Sequence, residues 1–250
     1  DLFTKEKKNM GQTDYELRRR FLRFCQIHHL LEREIRVTAR TLKPDEAIGH
    51  PEADDFPLQK GRERLMQAQF EAGLGQAFTD QYGNFKGRLK DVVHMDLANN
   101  YRRAVFVATL NAVLAHFGEA TGTVHCRDQE PSACAEEVSR YIQARYGVVR
   151  LTQIGFQPRL VDRLQQDHEY RIVDLDPDNI GKSVGVVQIE GPEATVDSVA
   201  WAELLLVTGT TLVNDTIDAF LDCKPIIFYG TTIAGAARMM NWERVCPCSH

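Results

Sequence analysis

Apolar positions set the first expectations. From Asp14 to Arg40, Leu17, Phe21, Phe24, His28, Leu31 and Ile35 recur four and three apart, the spacing of one helix face. Tyr101–Phe117 is apolar on more than one side, which predicts a deeply buried helix closed by Gly118. Ser132 is a good N-cap for another helix, which runs to Tyr146. After Gly147 the rhythm changes. Val148–Phe156, Tyr170–Asp176, Ser183–Ile189, Ala202–Thr208 and Pro225–Tyr229 are short apolar runs, most of them rich in Val, Ile or Leu. Helices fit between them at Pro158–Gln166, Leu212–Asp222 and Ala234–Asn241. Strands alternating with helices predict an α/β parallel sheet, with Ala202–Thr208 as a central strand covered on both faces.

Between the first helix and Tyr101 the pattern is weaker. Pro44 and Gly49–Pro57 read as a polar, proline-bearing connection. In Glu63–Asp80 residue propensity favours helix, but Gly73-Leu74-Gly75 would interrupt one. The expectation is a hairpin of short strands, Leu65–Ala72 and Gln76–Thr79, turning at those glycines. The organisation predicted is a helical extension over residues 1–45, an α+β unit over 46–147 and a parallel-sheet domain over 148–250.

Composition narrows the class. Hydrophobic residues make up 43% and charged residues 26%, an ordinary soluble balance. No apolar run is long enough to span a membrane, and Asp1–Met10 lacks the apolar core of a secretory signal, so a cytoplasmic protein is expected. With 30 basic and 35 acidic residues there is no general electrostatic footprint for nucleic acid. Glu16, Glu32 and Glu34 dilute Arg18, Arg19, Arg20 and Arg23 in the first helix, whose expected role is packing on the body of the protein or pairing in a homodimer. Six cysteines are too sparse for a disulfide framework and read as free thiols.

Candidate chemistry gathers at the strand ends. Ile154-Gly155-Phe156-Gln157-Pro158, Val207-Thr208-Gly209-Thr210-Thr211 and Tyr229-Gly230-Thr231-Thr232 each place glycine or a small hydroxyl where a strand meets a helix start. In a doubly wound sheet such tips line one crevice, and free helix-start N–H groups there favour an anionic or polar ligand. Asp174 and Asp176 follow the next strand at the distance where dinucleotide folds place a ribose-binding acid. The loop at Gly155 is nevertheless not G-x-G-x-x-G, which argues against a standard NAD site. Cys246-Pro247-Cys248-Ser249-His250 offers Cys246, Cys248 and His250 as soft ligands for a transition metal, and His125-Cys126 with Cys134 is a second candidate. No G-x-S-x-G elbow, P-loop or H-E-x-x-H occurs, so covalent-nucleophile and zinc-protease mechanisms lack support.

Leu205-Leu206-Val207-Thr208-Gly209-Thr210-Thr211-Leu212-Val213-Asn214-Asp215, Tyr229–Gly235 and Arg244-Val245-Cys246-Pro247 resemble the C-terminal signature of the putative heavy-metal chelation family, long a domain of unknown function. Arg103–Leu114 resembles a helix of its N-terminal part. The resemblance implies a small enolase-N-terminal-like α+β domain before a Rossmann-like domain, with a site between them. It also implies a role in metal chelation or in handling a pterin-, flavin- or siderophore-like molecule. The positions that match are Asn111, Gly209, Thr210, Asn214, Asp215, Gly230 and Thr231. The expected function is binding of a metal chelate or a pterin-, flavin- or nucleotide-like small molecule in an inter-domain cleft. Hydrolysis or condensation fits any turnover better than hydride transfer. The alternative is a non-catalytic protein that binds or delivers a thiophilic metal through its cysteines.

Overall fold

The computed structural model describes residues 10–38 and 63–250. The proline-bearing connection and most of the charged start lie outside the described residues. Helix α1 (Gln12–Ile27) buries Leu17, Phe21 and Cys25 on one face, as the periodicity predicts. It does not continue to Arg40. His29 takes φ 57°, the chain reverses, and Glu34–Thr38 forms β1 with Ile35 and Val37 buried between exposed neighbours. The helix-spaced apolar residues beyond His28 also satisfy the period of two of a strand, and pairing on both sides of β1 decides between them.

Strands β2 (Arg64–Phe70), β3 (Gly73–Thr79) and β4 (Phe85–Arg88) complete an antiparallel sheet in the order β3-β2-β1-β4. The β2–β3 hairpin is present, but its turn falls at Glu71-Ala72, with Glu71 at φ 50°. Gly73 and Gly75 lie within β3, where they let a helix approach. A Cβ on Gly75 would stand 2.2 Å from the backbone nitrogen of Ala112. After the short α2 (Leu89–Val93), that helix is α3 (Asn100–His116), buried along nearly its whole length and capped by Asn99, whose side chain accepts from the Arg102 N–H at 2.9 Å.

Helix α4 (Glu130–Tyr146) starts two residues before the expected N-cap at Ser132, with Pro131 in its first turn. The second sheet follows: β5 (Arg150–Ile154), α5 (Pro158–Leu164), β6 (Glu169–Val173), β7 (Ser183–Val184), β8 (Val187–Glu190), α6 (Thr195–Trp201), β9 (Leu204–Thr208), α7 (Thr210–Val213), β10 (Ile226–Tyr229) and α8 (Ala234–Met240). Its order is β10-β9-β5-β6-β8-β7, parallel except for β7. The α/β reading therefore holds, and β9 is a central strand whose Leu204–Val207 are buried. Two element readings change. Ser183–Ile189 is a tight hairpin and not one strand. The helix expected over Leu212–Asp222 stops at Val213, because Asp215 adopts φ 59°.

One apolar core runs from α1 and β1 through α3 to Val207, Phe228 and Ile233 of the second sheet. A second core packs Ala135, Val138 and Ile142 of α4 on Leu151, Leu204 and Ile227. The carboxyl ends of β5, β9 and β10 thus face α3 and the edge strand β3.

Candidate functional site

At the β5 tip Gly155 has φ 90°, a conformation favouring glycine, and a Cβ there would meet the Thr208 methyl at 2.5 Å. The tips of β5 and β9 are therefore in close contact. Buried Tyr229 locks them further by donating its hydroxyl to the Gly155 carbonyl at 2.7 Å, and the Gln153 amide donates to the same oxygen at 2.7 Å. Tyr170 donates to Gln153, which extends the chain toward β6. Apolar patterning gives no sign of this polar rod inside a strand core. At the β6 tip Asp174 accepts from the backbone N–H groups of Phe156 and Asp176, the latter at 2.6 Å. It ties two loops together.

Beyond these tips opens a cleft of about 530 Å³. Gly155, Asp174, Asp176, Thr208, Thr210 and Asn214 line it, so much of the sequence-predicted set does converge. Asp80, Asn100 and Glu63 join them from the first sheet and α3. The Asn100 amide donates to Asp80 at 2.7 Å and reaches the Asn214 carbonyl oxygen at 3.3 Å, bridging the two halves of the molecule. Phe156 and Phe220 add apolar rings to the wall, and among the described residues no Lys or Arg lines the cleft. The wall is acidic. Burial, reinforced by Asp174, Asp176 and Asp80, pushes the Glu63 carboxyl up to about 7. Burial also raises Asp174, against the amides that hold its charged form. The polar part of the ligand expectation fits such a wall, whereas an anion would meet repulsion. Sequence reasoning missed Glu63, Asp80 and Asn100, because nothing local links them to the strand tips.

A smaller cavity of about 110 Å³ lies on the other side of Thr208-Gly209-Thr210. Gly209, Gly230, Thr231, Phe78, His125, Cys126, Cys134 and Cys246 line it. The two cysteine groups read separately in the sequence are one neighbourhood. Residues 244–250 are pinned there: Arg244 donates to the Gly230 carbonyl at 2.9 Å and the Gly122 carbonyl at 2.7 Å, while Val124 and His250 exchange backbone hydrogen bonds of 2.7 and 2.9 Å. The Cys246 thiol is pulled down by its interaction with Cys134, against desolvation, and by the Arg244 guanidinium. Burial pushes Cys126 up. Among the described residues no three His, Cys, Asp or Glu side chains are arranged to hold a metal ion together. His250 pairs with Glu130 at 3.1 Å and does not line this cavity, nor does Cys248, which stays near Cys134.

Asn111 and Asp215 lie elsewhere. The buried Asn111 amide nitrogen is within reach of the carbonyls of Gln76, Thr231 and Thr232, and its oxygen accepts from Gly235 N–H at 2.7 Å. It cross-links the fold. Asp215 is half exposed beside Arg103 at 3.5 Å, outside both cavities.

Residues 146–239 match the family model DUF364, described as putative heavy-metal chelation. The matched stretch runs from β5 into α8, and so includes most of the tips lining both cavities. A DUF364 protein of unknown function from Pyrococcus horikoshii is similar to 86% of this chain over 79% of its own, at 18% identity and TM-score 0.53, which establishes likeness of fold. Another DUF364 protein of unknown function, from Desulfitobacterium hafniense, aligns over 71% of this chain and 72% of its own, at 12% identity and TM-score 0.48. No curated protein matches the chain. Among the described residues, no helix is long and apolar enough to cross a membrane.

Proposed function

We propose that the protein binds an uncharged or cationic heterocycle rich in N–H and O–H donors, pterin- or nucleoside-like or a cationic metal chelate, in the acidic cleft. One observation carries this reading. A cleft of about 530 Å³, in the size range of small-molecule sites, is lined by carboxylates, carboxamides and two phenylalanines and, among the described residues, by no cationic side chain. Carboxylates accept hydrogen bonds from ring N–H, amino and hydroxyl groups, while Phe156 and Phe220 offer surfaces to a flat ring. A phosphate would meet Glu63, Asp80, Asp174 and Asp176 with no counter-charge among the described residues, which favours the unphosphorylated form. The position beyond the carboxyl ends of parallel strands, where the order turns from β5 to β6 and to β9, is where open α/β sheets hold ligands. Any proton transfer in the cleft falls to Glu63, whose carboxyl sits near neutrality.

The test is a thermal-shift screen of nucleosides, pterins, flavins and their phosphate esters, with hits measured by calorimetry. Unphosphorylated members are expected to bind, and Asn214→Ala or Asp176→Asn to weaken them about tenfold, the equivalent of one hydrogen bond of roughly 1.4 kcal/mol. A cationic hit binds more tightly as pH rises through about 7, because Glu63 then becomes charged. Tighter binding of the phosphate esters than of their parents sinks the reading.

A further inference from the structure

We propose that Cys134 and Cys246 form a two-sulfur site for a soft d10 cation of the copper(I) class, in the small cavity between α4 and residues 244–250. The site adjoins the acidic cleft across Glu63, Phe156, Thr208 and Thr210, but its two sulfurs line only the small cavity, so it stands or falls without the cleft's ligand. Four observations bring it together. The two thiols lie beside each other and remain unbridged. Both line a cavity of about 110 Å³, which has room for an ion and a few waters but not for a heterocycle. Thr231 and His125 are among the residues around the same cavity, and the buried Thr231 hydroxyl and His125 Nδ1 have no hydrogen-bond partner. Buried polar atoms are nearly always satisfied, so two orphans on its wall mark a region not fully organised by the fold alone. Finally, Arg244 holds the chain that carries Cys246 in place and sets its guanidinium beside the Cys246 sulfur.

The chemistry selects the ion. Thiolates prefer soft cations, and copper(I), silver(I) and mercury(II) accept two-coordinate sulfur ligation. That matches an arrangement in which no three donors converge. Zinc, which wants four ligands, does not fit. On binding, the Cys246 thiolate and Cys134 each form a bond to the metal. The Cys134 proton leaves to solvent, and no electron is transferred. Copper(I) with two thiolates carries one negative charge, which Arg244 offsets. The ligand set differs from the segment Cys246, Cys248, His250, since His250 is held by Glu130.

The experiment uses the full chain, reduced and anaerobic, titrated with copper(I) held by a chromogenic chelator as competitor. One copper per chain is expected, lost in Cys134→Ser and in Cys246→Ser and retained in the exposed control Cys223→Ser. Because a serine variant can fold poorly, wild-type protein is also alkylated with iodoacetamide with and without copper, and the labelled cysteines are located by peptide mass spectrometry. Protection of Cys134 and Cys246, with Cys223 still labelled, supports the site. Equal labelling of Cys134 and Cys246 with and without copper, or protection confined to Cys248 or Cys223, overturns it.

Discussion

Asn111 shows how one side chain can look like a ligand group and act as a rivet. Its carboxamide joins β3, through Gln76, to the loop between β10 and α8, through Thr231 and Thr232, and to α8 itself, through Gly235. With the residue fully buried, Asn111→Ala leaves the Gly235 N–H without its acceptor and removes a donor from the carbonyls, at about 1–3 kcal/mol for each group left unsatisfied. Differential scanning calorimetry is expected to show a clear fall in Tm. Cleft affinity, measured well below that Tm, should change little, because Asn111 lines neither cavity. A large loss of cleft affinity in a folded Asn111→Ala protein would restore the ligand role expected from the family motif.

Among the elements, what the sequence revealed and what it hid follow one physical divide. The parallel sheet was readable because β9 is a run of Leu and Val buried on both faces and β10 an apolar run beside it, and the tips because glycine and threonine stand where strands end. Turn positions were misread where residues other than glycine adopt positive φ: His29, Glu71 and Asp215 each reverse the chain without a local signal. Glycine meanwhile sat in the middle of β3 for a tertiary reason. A Cβ on Gly75 would stand 2.2 Å from Ala112 N and 2.4 Å from Ala108 O, backbone atoms of α3 that cannot swing aside. Gly75→Ala should therefore push α3 off the sheet, at about 3 kcal/mol, the upper end of overpacking costs. That lowers Tm by roughly 6–12 °C in a chain of this size. Gly118→Ala, at a site with open space but φ 68°, is the comparison that isolates backbone strain from collision. If the two variants melt alike, close packing is not the reason for Gly75. Side chains distant in sequence, such as Cys134 and Cys246 or Asp80 and Asn214, became neighbours only through this packing.

Across the whole molecule, α1 meets the second half of the chain at a charge cluster in which Asp14, Arg18 and Arg103 are buried. Asp14 on α1 lies among Asp215 and Asp218 from the segment after β9, with Arg103 of α3 and Arg18 nearby, and the Thr13 N–H donates to Asp218 at 3.3 Å. Burial, then repulsion from Asp215, raises the Asp14 carboxyl to about 7, against the pull of Arg103. The sign of the linkage follows. Between its ordinary value of 3.8 and about 7, the folded protein holds a proton on Asp14 that the unfolded chain has released, so stability falls as pH rises through that window and levels off above it. An asparagine keeps the shape and never ionises. Asp14→Asn should therefore melt higher than the wild type at pH 8, by up to a few kcal/mol of stability on the order set by the shift, and the gap should close toward pH 4. Urea midpoints at several pH values test this. A variant gap that stays constant from pH 4 to pH 8 would show that Asp14 does not titrate at the junction. A gap that narrows as acid is added places a proton-sensitive joint between α1 and the half of the chain that carries the cleft.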